Sequence, residues 1–153
     1  MNIKKLFAVV GACAVALTSV AVSAAAQTPF KGTVSAVESV VVTPPTASIV
    51  REGTGTATYL GRFTEHIVLT VDLPTMSSSG SATFTAANGD TLTSSVVGQA
   101  TRTGPTTLSI VEVYTITGGT GRFADASGSF TLESSADQAS GASSGTLSGA
   151  IDH

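Results

Sequence analysis

Two side chains, the carboxylate of Glu112 and the phenol of Tyr114, are the leading candidates for a chemical role in this sequence. They stand two residues apart, and in a β-strand such residues point to the same face, which Ile110 shares. If that face is interior, burial favours the neutral acid, and Glu112 becomes a proton donor or a polar anchor for a ligand. If Val111 and Val113 line the core instead, Glu112 is solvated. A third interpretation pairs Glu112 structurally with Arg122 or Arg102.

Glu65 is the other carboxylate with a candidate role. It lies near the start of an alternating run, 63–73, whose apolar face holds Phe63, Ile67 and Leu69. We expect Glu65 at the rim of this inward face, where it could act on a ligand or simply be solvated at the strand end. The catalytic candidates are therefore Glu112, Tyr114 and Glu65, and whether the protein is an enzyme stays open, with a non-catalytic role favoured.

Arg122 follows Gly121 and could hold an anion against exposed backbone N–H groups, so it joins Glu112 and Tyr114 as a ligand-binding candidate. The alternative is that Arg122 bonds carbonyl groups or pairs with Asp125. His66 shares a face with Thr64 and Thr70 and is expected on the outer surface. A single internal histidine without a second histidine or a cysteine is a poor metal site, so neither a metal nor a cofactor is predicted.

Period-two alternation recurs along the chain, whereas helix-period apolar patterns are absent. Asn88-Gly89 between two alternating runs is a strong hairpin signal, since both residues tolerate positive φ. About eight strands joined by short turns are predicted, over residues 30–42, 47–61, 63–73, 81–86, 91–100, 107–117, 129–135 and 145–151. This spacing predicts an all-β fold, and we favour an antiparallel barrel of about eight strands because closure leaves no exposed edge.

The segment 1–26 has the pattern of a secretory signal peptide. Lys4 and Lys5 precede an apolar run, and Ala24 to Ala26 resembles a cleavage site before Gln27. A retained membrane anchor and a lipoprotein processed at Cys13 are the alternatives. Cleavage would leave one domain, residues 27–153, exported to the periplasm or the extracellular space.

Charge and cysteine content exclude several classes of function. Loss of the segment 1–26 removes Lys4 and Lys5 and leaves five basic and ten acidic side chains, a formal charge of −5. Such a surface argues against binding to nucleic acid or to an anionic membrane. The missing aromatic belts also disfavour an outer-membrane barrel. The only cysteine, Cys13, would leave with the signal, which excludes a disulfide framework and a cysteine nucleophile.

A glycine-rich segment reads Ile116-Thr117-Gly118-Gly119-Thr120-Gly121-Arg122-Phe123, followed by Ala126 and Gly128. It resembles the GGTG-aromatic segment of the dirigent and allene oxide cyclase families, and the similarity covers the last two-thirds of residues 27–153. The resemblance implies an eight-stranded antiparallel barrel with an apolar interior pocket. The acidic and polar groups on which those families rely have no matched positions here.

Three functions follow as expectations. The leading one is an exported small barrel, without catalysis, that binds a hydrophobic or amphipathic small molecule. The second is an isomerase, cyclase or stereochemistry-directing protein of the allene oxide cyclase or dirigent type. The third is a structural or adhesive envelope component, suggested by the Thr, Ser and Gly content. A homo-oligomer is compatible with each of them.

Overall fold

The computed structural model describes residues 27–152 as one closed antiparallel β-barrel. The predicted signal peptide with Cys13, and the terminal His153, lie outside the described residues. The eight strands are β1 (Thr28–Thr43), β2 (Thr46–Ala57), β3 (Gly61–Asp72), β4 (Ser77–Ala86), β5 (Thr91–Arg102), β6 (Thr107–Gly119), β7 (Ser127–Asp137) and β8 (Ala142–Asp152).

Each strand pairs with the next along the chain, and β8 pairs with β1 to close the barrel. The predicted barrel of about eight antiparallel strands is therefore confirmed. Several boundaries differ from the prediction, and β2 ends at Ala57 instead of Gly61 because residues 58–60 form a turn in which Tyr59 has φ +67. Residues 77–80, expected in a loop, begin β4, and the loop expected over 136–144 shrinks to 138–141. Serine, glycine and alanine carry little strand signal of their own, and it is pairing with neighbouring strands that makes these residues extended.

One end of the barrel is packed shut by aromatic rings. Phe84 lies 5.6 Å from Phe63 and 5.6 Å from Phe130 between ring centroids, and Phe30 lies 4.8 Å from Phe130. These rings are fully or almost fully buried. The aromatic cluster belongs to the main hydrophobic core and fills this end of the barrel.

The glycine-rich segment covers the same closed end. After β6 the chain makes a 3-10 turn, Gly121–Phe123, which inserts the fully buried Phe123 beneath the barrel. Gly121 has φ +57, and a Cβ at this position would clash with the Asp90 carboxylate, so only glycine fits. The segment that suggested the family resemblance is thus the plug of the barrel.

The outer face carries mostly threonine and serine, and His66 lies on it as predicted. The His66 side chain is 55% exposed, and its Nδ1 contacts Glu52 Oε1. None of residues 27–152 belongs to a helix that is long and apolar enough to cross a membrane.

Candidate functional site

A cavity of about 440 Å³ opens at the end of the barrel opposite the aromatic cluster. Its walls are apolar side chains from the inner faces of several strands and one loop, among them Val40, Val42, Ala47, Ile49, Leu69, Val71, Leu73, Met76, Leu108, Ile110 and Ala136. The loop 138–141 borders the cavity. Val40 and Val42 line it and are still 51% and 58% exposed. The barrel therefore holds a concave apolar surface that its own side chains leave uncovered.

A buried ion pair lies at the inner limit of this cavity. Arg51 on β2 reaches across the barrel to Glu112 on β6 and binds it with two parallel hydrogen bonds, Nη1 to Oε2 at 2.7 Å and Nη2 to Oε1 at 3.0 Å. The two residues are 2% and 1% exposed, and both line the cavity. A bidentate guanidinium–carboxylate pair fixes both side chains in one geometry.

Burial disfavours the charged guanidinium, but the hydrogen bonds to Glu112 and the charges of Glu112 and Glu38 outweigh it. The pKa of Arg51 is therefore raised above its ordinary value. Arg51 also donates its Nε–H to Glu38 Oε1 at 2.9 Å. Glu38 lies on the inner face of β1 and lines the cavity, with its side chain 9% exposed. Arg51 therefore forms hydrogen-bonded ion pairs with two carboxylates, those of Glu112 and Glu38.

Tyr114 lies behind Glu112, on the side of the aromatic cluster. Its hydroxyl donates to Glu112 Oε2 at 2.6 Å, and its ring stacks on Phe130 with centroids 4.8 Å apart. Burial and the charge of Glu112 raise the pKa of Tyr114 well above its ordinary value, so the hydroxyl keeps its proton. Tyr114 does not line the cavity. It orients the carboxylate that does.

Glu65 is 2% exposed, so it lies in the interior and not at the rim where the sequence pattern suggested. Neither of its carboxyl oxygens has a hydrogen-bond partner among the described residues. Burial raises the pKa of Glu65 to about 7, although the charge of Arg51 opposes the rise. Glu65 does not line the cavity either. Glu65 is therefore a buried acid without a hydrogen-bond partner among residues 27–152, and burial favours its protonated form.

Each of the two most buried glutamates faces a glycine on a neighbouring strand. Gly53 is paired with Glu65 and Gly98 with Glu112 in the strand register. A Cβ on Gly53 would lie 2.8 Å from Glu65 Oε1, and one on Gly98 would lie 2.7 Å from Glu112 Cγ. The glycines leave the space that the acidic side chains occupy inside the barrel.

Of the four predicted site residues, the structure brings Glu112 and Tyr114 together and leaves Glu65 and Arg122 outside the cavity lining. Glu112 and Tyr114 meet at the cavity floor, and the partner of Glu112 is Arg51 instead of Arg122 or Arg102. Arg122 lies at the closed end, because the glycine segment that holds it forms the plug. There its Nη2 donates to the Leu60 carbonyl oxygen at 3.5 Å, which agrees with the carbonyl-bonding alternative. Its guanidinium lies 4.8 Å from the Phe123 ring centroid, and its Nε lies 3.9 Å from Asp90 instead of Asp125.

Sequence reasoning missed Arg51 and Glu38. Both could have been found from strand phase, since Arg51 alternates with the inward Ala47 and Ile49, and Glu38 alternates with Val34 and Ala36. Glycines at 53 and 55 and the apolar Val50 in the opposite phase obscure the pattern in β2. A charged residue in phase with a core face is the signal to look for.

Within residues 27–152 no group of three or more His, Cys, Asp or Glu side chains has a geometry that could hold a metal ion.

Comparison with known proteins identifies the fold. No protein-family model matches the sequence, and no curated protein matches it. Among solved structures the chain is similar to a pterocarpan synthase dirigent protein, with a TM-score of 0.61 and 16% identical residues. The match covers 83% of this chain and 89% of that one. The chain therefore has the dirigent-like barrel fold, the fold expected from the GGTGRF segment, and the identity is too low to transfer an activity.

Proposed function

We propose that the protein binds one hydrophobic or amphipathic small molecule in the open-end cavity. The proposal rests above all on the apolar wall that stays uncovered around a buried polar floor. Barrels of about eight strands either fill their interior with side chains or hold one small ligand, and this barrel is filled at one end only. A mostly apolar pocket with a few fixed polar groups is the usual form of a small-molecule site.

The arrangement gives each part of the cavity a separate task. The aliphatic walls would remove the apolar part of a ligand from water at about 25 cal/mol per Å² of buried apolar area. Arg51, Glu112 and Glu38 are held by one another, so their positions are set before a ligand arrives. Preorganised polar groups orient a ligand without an ordering cost at the moment of binding.

Native mass spectrometry of the protein purified gently from the cells that make it tests the proposal. We expect a reproducible extra mass that denaturation releases, and the same spectrum gives the oligomeric state. A bare chain mass or an integer multiple of it, together with no binding of added apolar probes, would contradict the proposal and favour a structural or adhesive role.

A stereochemistry-directing or isomerase activity is the second candidate. Glu112 lines the cavity and accepts a hydrogen bond from the Tyr114 hydroxyl, and the fold is similar to that of a dirigent protein. A positioned carboxylate could accept or return a proton on a bound molecule. Once a ligand is known, the Glu112→Gln variant separates the candidates, because an activity should fall while binding by the apolar walls persists. An unchanged product distribution and rate in that variant would exclude this role for Glu112.

We also infer that the protein is exported to the periplasm or beyond the cell, from the signal-peptide pattern of the segment 1–26. The mass of the protein isolated from each cell fraction tests this directly. We expect a chain that begins at Gln27 in the periplasmic or extracellular fraction. A chain that still begins at Met1 and stays in the cytoplasm would refute the inference.

A further inference from the structure

The charges around the cavity do not balance. The lining holds three carboxylates, Glu38, Glu112 and Asp137, and a single guanidinium, that of Arg51. The formal charge of the lining is therefore −2. A ligand that enters meets an apolar cavity whose polar groups carry a net negative charge.

Arg51 has little hydrogen-bonding capacity and little uncompensated charge left for an anionic ligand. All three nitrogens of the Arg51 guanidinium already donate hydrogen bonds, four in total, to Glu112, Glu38 and the Tyr114 hydroxyl oxygen. Its charge is shared by two carboxylates within hydrogen-bond distance. An incoming carboxylate or phosphate would compete with both and would meet their repulsion in a site of low dielectric constant.

Glu38 has an acceptor oxygen left for a hydrogen bond with a ligand. Its Oε1 accepts the Arg51 Nε–H, whereas its Oε2 accepts no hydrogen bond from the described residues. The side chain is nine-tenths buried and lines the cavity. Asp137 stands at the mouth, where Ser140 and backbone N–H groups of the loop 138–141 bond its carboxylate and lower its pKa. It stays ionised and adds negative potential where a ligand enters.

We propose that the molecule bound in this cavity is an amphipath with a positively charged nitrogen, an amine or ammonium group on an apolar body. The nitrogen lies against Glu38 Oε2 and the body against the aliphatic walls. The pairing neutralises the carboxylate that Arg51 satisfies only in part. This inference rests on the proposed function, since it names the class of ligand for the same cavity.

Three probes of equal length and different head group test the proposal: octylamine, octanol and octanoate, each titrated calorimetrically into the purified protein at pH 7. We expect octylammonium to bind at least about tenfold more tightly than octanoate, with octanol between them; tenfold corresponds to about 1.4 kcal/mol. The Glu38→Gln variant keeps an oxygen for the Arg51 Nε–H and removes the charge, and should reduce the preference to about threefold or less.

Glu52→Gln is the matched control. It removes the same charge from the exposed outer surface, beside His66, and should leave the tenfold preference intact. Equal or tighter binding of octanoate, or an unchanged preference in Glu38→Gln, would overturn the cationic ligand class while the cavity remains a binding site. Failure of all three probes to bind would instead refute the binding function, and this inference with it.

Discussion

Replacement of Glu65 by glutamine should change how the stability of the barrel depends on pH. The pKa of Glu65 is raised from its ordinary 4.5 to about 7 by burial without a hydrogen-bond partner. The folded state therefore keeps a proton that the unfolded chain releases from pH 4.5 upward. The favourable contribution is complete below pH 4.5 and is lost as the pH rises through 7.

The magnitude follows from the two pKa values. Each pH unit between them costs about 1.4 kcal/mol, so the carboxyl of Glu65 removes about 3 kcal/mol from the free energy of unfolding between pH 4.5 and pH 8. Glutamine has nearly the same shape and does not titrate in this range. The difference in stability between the wild type and Glu65→Gln should therefore shift by about 3 kcal/mol, in favour of the variant, as the pH rises.

Urea unfolding of both proteins at pH 4.5, 6 and 8 measures this difference, and titrating groups that do not interact with Glu65 cancel in the subtraction. Glu133→Gln removes a carboxylate from the exposed face of β7 and serves as the control for loss of one negative charge. A difference in stability between wild type and Glu65→Gln that stays constant within about 1 kcal/mol over this range would contradict a raised pKa of Glu65 in the folded state. It would mean that the Glu65 carboxyl finds a partner or water that relieves its burial.

Three further changes probe the polar floor by denaturant unfolding. Arg51→Leu should destabilise the barrel by about 3–5 kcal/mol because it leaves Glu112 buried and unpaired. The double variant Arg51→Leu with Glu112→Leu should recover most of that loss. Equal losses of stability in the single and the double variant would contradict a stabilising role for the ion pair. Tyr114→Phe should cost about 1.5–3 kcal/mol, the worth of a hydrogen bond to a charged group, and a neutral result would deny that bond a role. Gly98→Ala should cost about 1–3 kcal/mol by crowding Glu112. Gly104→Ala, whose Cβ would meet no heavy atom closer than 3.4 Å, is the control, and equal effects at both sites would refute the close-approach argument.

Much of the fold could be predicted from the sequence, because the interior of a barrel imposes period-two alternation on every strand. The run 63–73 illustrates this: Phe63, Ile67 and Leu69 face inward and His66 faces outward, as predicted, while the apolar Val68 also lies on the outer face. The same alternation places Glu65 on the inner face. Its position along the strand does not show whether the side chain lies at the rim of the barrel or within the interior. That depends on the residues which neighbouring strands place beside it.

The site was harder to predict because its central contact crosses the barrel. Arg51 and Glu112 are 61 residues apart in sequence and lie on strands that are not neighbours in the sheet. Only closure brings β2 and β6 face to face, and register then decides which inward residues meet. For Arg122, local sequence indicated a glycine turn but not the barrel end that the turn covers.

The most direct test is binding of an amphipathic probe, octylamine, to two tryptophan variants that differ only in the direction of the side chain. Ile110→Trp points into the cavity, whereas Val111→Trp, one residue along β6, points to solvent, where the native valine is 46% exposed. With circular dichroism confirming that both fold, we predict that octylamine binding falls at least about tenfold in Ile110→Trp and stays unchanged in Val111→Trp. Equal binding to both variants would contradict the claim that the open end of this barrel is a ligand site.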